Sequence, residues 1–332
     1  MKREEYLKEL KLTLEQSDFG PMEEAISYFS EMLDDRIAEE GMDEEAAVAT
    51  MEAPGQVASQ LAQTRQKEAQ QQAKSEDEIE PGVRTINAKP SLVHHILVRD
   101  RNMRLILRGW DKDEIVIHHP ETKRVRYDFK LEDGQLSLIR TPLEFSINIF
   151  MFENLNHEMS EVTLDVPQEL AAELDLRTSN GRLTAENINC WGSAALGTGN
   201  GALSLKNFSA KNIQLKTSNG SITLEKVQAK KELSAVTSNG KITAEQAAAP
   251  ELLTLKTSNG SILVSKLESR SLQLTSSNGS IKGDLPGSLN DYSIRSGTSN
   301  GKNNLPTHQE GGSKTLSVHT SNARIDLSFS GS

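Results

Sequence analysis

The chain has 332 residues, of which 4% are aromatic, and it carries a formal net charge of −10 at pH 7. This length suggests two or three domains. So few aromatic residues favour thin, repetitive cores over one large central core. The single cysteine, Cys190, excludes an intrachain disulfide framework and a cysteine-rich zinc site.

The negative charge is concentrated at the start of the chain. Residues 1–80 carry 8 Lys/Arg and 21 Asp/Glu, and the remaining residues are close to neutral. An acidic segment argues against nucleic-acid binding. The first ten residues lack the apolar region of a secretory signal, and no stretch approaches the roughly 18–20 apolar residues that span a bilayer. We therefore expect no nucleic-acid partner and no transmembrane segment, and a cytoplasmic location stays open.

The first 73 residues have the periodicity of a small three-helix domain. Pro21 suits a first helical turn and Gly41 a C-terminal stop. Asp43 is predicted to cap a short helix from Glu44 to about Met51. The apolar positions of the first two helices and the anchors of the last helical stretch follow helical spacing: Tyr6, Leu7, Leu10 and Leu14; Met22, Ile26, Phe29, Leu33 and Ile37; Val57 and Leu61.

Three motifs in this segment resemble a known helical domain. They are the opening Met1–Leu10, the stretch Glu24–Phe29, and Met51–Ala58 with its Pro54-Gly55. The segment is similar to the DUF1700 or HAAS type of domain in Gram-positive membrane-associated regulators, although Glu52 replaces that family's usual glycine. The resemblance implies a docking module for a protein partner. The alternative is a three-helix cap whose acidic residues keep it soluble. Residues 74–82 are interpreted as a flexible linker.

From about residue 171 to the end, a Ser-Asn-Gly signature recurs with a period of about 20 residues, which indicates a solenoid of stacked coils. Aliphatic residues stand six and four positions before most of the asparagines and three and five after, so each coil is predicted to hold two short strands with one buried face. The alternative, a meander of Asn-Gly hairpins, does not explain the constant phase. The asparagines are Asn180, Asn200, Asn219, Asn239, Asn259, Asn278, Asn300 and Asn322.

Each Asn-Gly pair is expected to form a corner, since both residues tolerate positive φ. Stacking would then align the asparagines in an amide ladder. The last two coils are irregular: Asn303 replaces an inward aliphatic residue and Ala323 a corner glycine, as expected of capping units. Residues 83–170 show short alternating stretches and are interpreted as a leading β segment that caps the first coil.

Two features carry a second resemblance, which covers residues 83–330. They are the repeated Thr-Ser-Asn-Gly-x-Ile signature and the element Gly109–Val116. The region resembles the bacterial DUF4097 family, provisionally labelled adhesins. The resemblance implies a mainly β fold, a single-stranded right-handed β-helix, and an envelope-linked role. Together with the HAAS-like segment it resembles proteins of Lia-type envelope-stress responses in Firmicutes.

Two surfaces are candidates for a ligand face. One is a hydroxyl row four residues after each asparagine, formed by Thr184, Ser204, Thr223 and Thr243. The other is a basic stretch with Arg99, Arg101, Arg104, Arg124 and Arg126, which could contact anionic polymers or lipid headgroups. The alternative for the basic stretch is a set of solvated strand faces.

No catalytic constellation, cofactor motif or metal site is predicted. A carbohydrate-active solenoid needs carboxylates gathered on one face, and the hydroxyl row has none. His94-His95 and His118-His119 point to opposite faces of a strand, so neither pair can chelate. Cys190 is expected to be a small packed residue.

These features favour a non-enzymatic, envelope-associated binding or sensing protein. Its expected ligands are a cell-wall polymer, an antimicrobial peptide or an anionic lipid, and its helical domain would bind a protein partner. The alternative is a cytoplasmic scaffold acting through the helical domain; a carbohydrate-active enzyme is the least favoured class.

Overall fold

The computed structural model describes residues 1–16, 25–26, 29–30, 32–33, 43–59, 81–122, 125–141 and 160–331. The described residues up to 59 and those from 81 onward belong to two compact units. The fold is mainly β, with a small helical part at the N-terminus. The sequence predicted this division into a helical and a β region.

The helical unit contains α1 (Arg3–Gln16) and α2 (Glu44–Ala49), and residues 54–59 are also helical. Asp43 caps α2 as predicted, because its side chain accepts from the backbone N–H of Ala46 at 2.7 Å. The hydroxyl of Tyr6 donates to the carbonyl of Glu52 at 2.9 Å and so ties α1 to the chain after α2. Neither described helix is long and apolar enough to cross a bilayer.

One apolar core joins these helical segments. Its members are Tyr6, Leu10, Leu14, Ala25, Phe29, Leu33, Ala47, Val48, Val57 and Ala58. Six of these were predicted from helical spacing, namely Tyr6, Leu10, Leu14, Phe29, Leu33 and Val57, and the predicted Leu7 and Ile26 are partly buried against the core. Pro21, Met22, Ile37, Gly41, Leu61 and residues 74–80 of the predicted linker lie outside the described residues.

The described residues of the β unit form two long sheets, and the strand numbers given for each sheet refer to these residues. Sheet 1 has 13 strands: β1 (Gly82–Ala88), β3 (Arg104–Trp110), β4 (Ile115–Glu121), β7 (Glu161–Pro167), β8 (Glu169–Leu170), β10 (Leu183–Cys190), β12 (Leu203–Ala210), β14 (Ile222–Ala229), β16 (Ile242–Ala249), β18 (Ile262–Ser265), β19 (Glu268–Ser269), β21 (Ile281–Leu285) and β25 (Ile325–Phe329).

Sheet 2 has 12 strands: β2 (His95–Arg99), β5 (Tyr127–Glu132), β6 (Gln135–Arg140), β9 (Glu173–Thr178), β11 (Ala194–Thr198), β13 (Ile213–Lys216), β15 (Glu232–Val236), β17 (Leu252–Lys256), β20 (Ser271–Thr275), β22 (Tyr292–Thr298), β23 (His308–Gln309) and β24 (Lys314–Thr320). Short 3-10 helices span Pro90–Leu92 and Leu289–Asp291.

Each regular repeat adds one layer, which we call a coil, to a solenoid-like stack. The strand before the asparagine joins sheet 2 and the strand after it joins sheet 1, and both pair in parallel with the next coil. Aliphatic residues at equal positions of the repeat are register partners, such as Leu174 with Ala194 and Leu183 with Leu203. Their side chains are buried between the sheets, so the hydrophobic period of two sets the register.

The stack extends to strands before residue 171 that the repeat alignment did not include. In β2 and β3, Ile96 pairs with Leu174 and Leu105 pairs with Leu183. These strands flank Asn102, and the aliphatic residues stand at the same distances from it as in the repeats. The Ser-Asn-Gly signature is missing there, which is why the coil was not recognised in the sequence.

At both ends of the stack, coil order departs from chain order. The strands β6 and β7 lie outside β2 and β3, although they follow them in the chain. At the other end β24 lies between β20 and β22, so the coil of Asn322 is inserted between those of Asn278 and Asn300. The constant repeat period predicts coils stacked in chain order, and at the two ends this prediction is wrong.

Antiparallel strands cover the outermost coils. At one end β4 pairs with β7 and with β1, and β5 pairs with β6. At the other end β23 pairs with β22. Antiparallel partners occupy backbone groups that would otherwise form open sheet edges.

Candidate binding face

The asparagine side chains form a continuous hydrogen-bonded ladder along one edge of the stack. Each Nδ2 donates to Oδ1 of the preceding coil at 2.5–2.8 Å. The order is Asn102, Asn180, Asn200, Asn219, Asn239, Asn259, Asn278, Asn322 and Asn300. The ladder therefore follows the spatial order of the coils, including the exchanged coils at the C-terminal end.

A buried hydroxyl closes most of these corners. In one coil Oγ1 of Thr237 donates to the carbonyl of Gly220 at 3.0 Å and accepts from the backbone N–H of Gly240 at 3.1 Å. In the coil of Asn102, Asp100 takes this place and accepts from the N–H groups of Asn102 and Met103. The corner is thus fixed by side-chain bonds both within a coil and between coils.

The glycine at this corner is required for a different reason from the one expected. Positive φ was predicted for the Asn-Gly pairs, but none of the described ladder asparagines or the glycines after them has it. A Cβ on Gly240 would instead lie 1.7 Å from the carbonyl oxygen of Gly220. Close stacking of backbone on backbone leaves no room for a side chain at Gly240, whereas the coils of Asn102 and Asn322 carry Met103 and Ala323 at this position.

Positive φ occurs at a second bend, seven residues after the asparagine. Residues at this bend have φ of 47–58° and interrupt the register of sheet 1, where pairing stops at Glu186 and resumes at Ile188. The buried positions change phase there, from Leu183 and Ala185 to Ile188 and Cys190. The bend residues are Asn187, Asn207, Lys226, Gln246 and Lys266.

The predicted hydroxyl row is assembled on sheet 1. Thr184 pairs with Ser204, Ser204 with Thr223, and Thr223 with Thr243. The row ends at Ile106 on one side and at Leu263 on the other. Four hydroxyl-bearing residues therefore lie at strand-to-strand spacing, about 4.8 Å apart, on a fixed backbone.

Two members of the basic stretch, Arg99 and Arg104, and the neighbouring Arg108 form ion pairs. Arg99 contacts the carboxylate of Asp175, and Arg108 makes two hydrogen bonds, of 2.9 and 3.2 Å, to Asp165. Arg104 lies 3.7 Å from Glu161. Arg101 and Arg126 are exposed, and Arg124 lies outside the described residues. Paired guanidinium groups offer little net charge to an anion.

The histidines have separate roles. The ring of His118 is 3.0 Å from Oγ1 of Thr85, and His119 is buried edge-on against Tyr127 with ring centroids 5.0 Å apart. Burial lowers the pKa of His119 below its usual value. Among the described residues no group of three His, Cys, Asp or Glu could hold a metal ion.

The cysteine is packed inside the stack, as predicted. Cys190 is fully buried, and its thiol donates to the carbonyl of Ala172 at 3.0 Å. Burial raises the pKa of this thiol to about 11. Such a thiol is a poor nucleophile near neutral pH.

A polar groove that the sequence did not predict lies next to the second bend. It is an open depression of about 410 Å³ in the first three repeats. Bend residues Asn187, Asn207 and Lys226 line it. The groove is also lined by a row of polar residues in neighbouring strands. In this row Glu169 pairs with Asn189, Asn189 with Ser209, and Ser209 with Gln228.

An exposed tryptophan is hydrogen-bonded to Glu169, one of the residues that line this groove. The indole N–H of Trp191 donates to Oε2 of Glu169 at 3.0 Å, and Nδ2 of Asn189 donates to the same oxygen at 2.7 Å. The side chain is 57% exposed, the largest exposure of the large hydrophobic residues in the described chain. A signal was present in the sequence, since Trp191 stands where the next repeat has Lys211.

These features define a mainly β, solenoid-like repeat protein with several polar rows on one sheet. The family model described as "Toastrack DUF4097" matches residues 93–330. The chain therefore belongs to the Toastrack DUF4097 family. No curated protein matches it significantly.

The chain is also similar to solved structures from several bacteria. A protein from Clostridium sporogenes, provisionally described as a cell adhesion protein, is 12% identical, with 75% of this chain and 100% of that chain covered and a TM-score of 0.28. A provisionally named adhesin from Parabacteroides distasonis is 11% identical, with 76% and 98% covered and a TM-score of 0.41. Another from Parabacteroides merdae is 13% identical, with 76% and 96% covered and a TM-score of 0.32.

Proposed function

We propose that this chain is a non-enzymatic, adhesin-like binding protein of the bacterial cell envelope. The observation that carries the proposal is the in-register hydroxyl row from Thr184 to Thr243 on sheet 1. Parallel pairing and the amide ladder fix the spacing of this row, so a ligand would bind with little ordering cost. A repeating polymer or an extended peptide matches a repeating row.

The ligand candidates are a cell-wall polymer, an antimicrobial peptide and an anionic lipid surface. The ion pairs of Arg99, Arg104 and Arg108 favour the hydroxyl row over the basic stretch as the contact surface. Hydroxyl side chains donate and accept equally well. We therefore rank the wall polymer, which is rich in hydroxyl and amide groups, above the anionic lipid.

The helical unit would then bind a protein partner. Its acidic composition and its HAAS-like motifs support a docking role in envelope-stress signalling of the Lia type. In this scheme residues 1–73 act as the docking domain, 74–82 as the linker, 83–170 as the leading segment and 171–332 as the repeats. For the repeats we propose a single-stranded right-handed β-helix, since about 98% of parallel crossover connections are right-handed.

The first test combines location with binding. A tag on the β unit should be removed by protease from intact cells, and purified protein should sediment with isolated cell walls. Antimicrobial peptide and anionic vesicles form the other arms of the assay. The double variant Thr223→Val with Thr243→Val should weaken binding, whereas Thr254→Val on sheet 2 should leave it unchanged.

A different outcome would select the alternative function. Protection of the tag until the cells are lysed, with no binding in any arm, contradicts the envelope proposal. The chain would then act as a cytoplasmic scaffold, and recovery of a cytosolic partner by residues 1–73 within the full chain would be the next observation to seek.

A further inference from the structure

The geometry points to a binding site for an uncharged oligosaccharide in the groove beside Trp191. This inference rests on the proposed function and gives it a ligand class and a place. It uses neither the hydroxyl row nor the basic stretch. Three observations carry it: an exposed and oriented indole ring, a polar row of limited length, and a near-neutral lining.

The indole ring has a fixed orientation and an open surface. Its N–H is held by Oε2 of Glu169, which also receives Nδ2 of Asn189. Trp191 is 57% exposed, so its ring contributes little to the core. A smaller polar residue could make the same hydrogen bond to Glu169. An exposed aromatic ring with its polar edge satisfied offers an apolar face, and the C–H groups of a sugar ring match such a face.

The row beside the ring has defined ends. It begins at Glu169, continues through Asn189 and Ser209 to Gln228, and stops because the next register partner is Ala248. Beyond Ala248 the next residue at this register position, Glu268, is polar again, but it is not part of the groove lining. A row of this length is suited to a few linked sugar units.

The side chains of this row keep hydrogen-bonding capacity for a ligand. Ser209 donates to Oδ1 of Asn189 at 2.6 Å, and Asn207 donates to Oδ1 of Asn187 at 3.0 Å. An amide has two donors and two acceptor lone pairs, and a hydroxyl keeps its own lone pairs when it donates. Planar amides and a carboxylate are well suited to pairs of neighbouring hydroxyl groups.

Other ligand classes fit the groove less well. Its charged lining residues are one carboxylate, Glu169, and one amine, Lys226, so it has no excess positive charge for a phosphate polymer. A peptide strand would need an open sheet edge, but the strands here pair on both sides, β12 with β10 and with β14. The apolar surface is one isolated ring, whereas protein interfaces usually form larger patches.

The test is a titration of the full chain with chitohexaose and cellohexaose, with poly(glycerol phosphate) as the anionic comparison. Isothermal calorimetry and tryptophan fluorescence report binding. We expect at least one neutral oligosaccharide to bind, Trp191→Ala to weaken it by roughly tenfold or more, and Asn189→Ala to weaken it by a smaller factor. Trp191→Phe should retain most of the affinity because it keeps the stacking face.

Phe129→Ala is the matched control, since Phe129 is an exposed aromatic residue on β5, away from the groove. Thermal unfolding of each variant identifies loss of fold. Failure of both neutral oligosaccharides, preference for the anionic polymer, or equal binding by wild type and Trp191→Ala would overturn the inference. If walls are still bound in such a case, only the groove assignment is lost; absence of binding to walls, peptide and vesicles alike removes the proposed function itself.

Discussion

Each regular coil bends twice along the strand pair, and the two bends differ in how they are encoded. The Asn-Gly bend repeats its residues almost without change. The bend seven residues later is occupied by Asn187, Asn207, Lys226, Gln246 and Lys266, all with positive φ. The more strained backbone conformation thus has the less uniform sequence.

The difference shows which constraints require the same residue in every coil of a stacked fold. At the Asn-Gly bend, neighbouring coils restrict both side chains. The asparagine amide hydrogen-bonds to the amide of the next coil, and a Cβ on the glycine would clash with a carbonyl oxygen of the neighbouring coil. At the second bend only the residue's own backbone is restricted. A left-handed conformation costs roughly 1–2 kcal/mol for an ordinary residue, which many residues can tolerate.

The largest expected effect is at the corner glycine. Gly240→Ala places a Cβ 1.7 Å from the carbonyl oxygen of Gly220, so the coils must separate locally. We expect a loss of roughly 3–5 kcal/mol in the free energy of unfolding, measured by urea denaturation. Gly297→Ala is the control, because its nearest atom would be 3.7 Å away. Equal effects of the two substitutions would contradict the close-approach explanation.

The next effect concerns the buried corner hydroxyl. Thr237→Val keeps the shape of the side chain but leaves the N–H of Gly240 and the carbonyl of Gly220 without their Oγ1 partner. Unsatisfied buried groups cost about 1–3 kcal/mol. Thr237→Ser retains the oxygen and should lose clearly less stability in the same urea titration. A valine variant as stable as wild type would show that the hydroxyl is dispensable.

Within the ladder, the effect should depend on position. Asn239→Asp replaces the Nδ2 donor to Asn219 with an acceptor, and we expect a loss of about 1–2 kcal/mol in thermal or urea unfolding. Asn102 is at the end of the ladder, where its side chain only accepts a hydrogen bond, from Asn180. Asn102→Asp should therefore leave the free energy of unfolding nearly unchanged. Similar losses at both positions would argue that the ladder has no directional role.

The smallest effect has the opposite sign. Gln246 has φ of 53°, so Gln246→Gly should relieve strain and raise the free energy of unfolding by about 0.5–1 kcal/mol. Glu245→Gly, one residue earlier in the same strand, should lower it by a comparable amount. A destabilised Gln246→Gly protein would mean that this side chain contributes more than its backbone costs.

The candidate sites were predictable to different degrees. The hydroxyl row follows from period and phase, so the repeat spacing alone is enough to align its members. The groove could not be found this way, because its residues lie after the second bend, which changes the phase of burial between Ala185 and Ile188. Trp191 was visible in the sequence, but its exposure and its bond to Glu169 depend on how the coil turns beyond Cys190.

The basic stretch shows a second limit of reading a surface from sequence. The five arginines of the basic stretch suggest an anion-binding face, yet Arg99 and the neighbouring Arg108 pair with Asp175 and Asp165, which are remote in the chain. Parallel register brings these carboxylates next to the guanidinium groups. Only the register decides whether such charges are free or paired.

By itself, the sequence determined the helical and β regions, the coil period, the inward positions and the residues that align from one coil to the next. These are local properties, set by hydrophobic periodicity and by residues that repeat. The tertiary structure alone decided the spatial order of the terminal coils, the additional coil at Asn102, the reason for the corner glycines and the groove beside Trp191. Each of these features depends on contacts between coils. Two coils with similar hydrophobic patterns can exchange places in the stack without any change in the local sequence pattern.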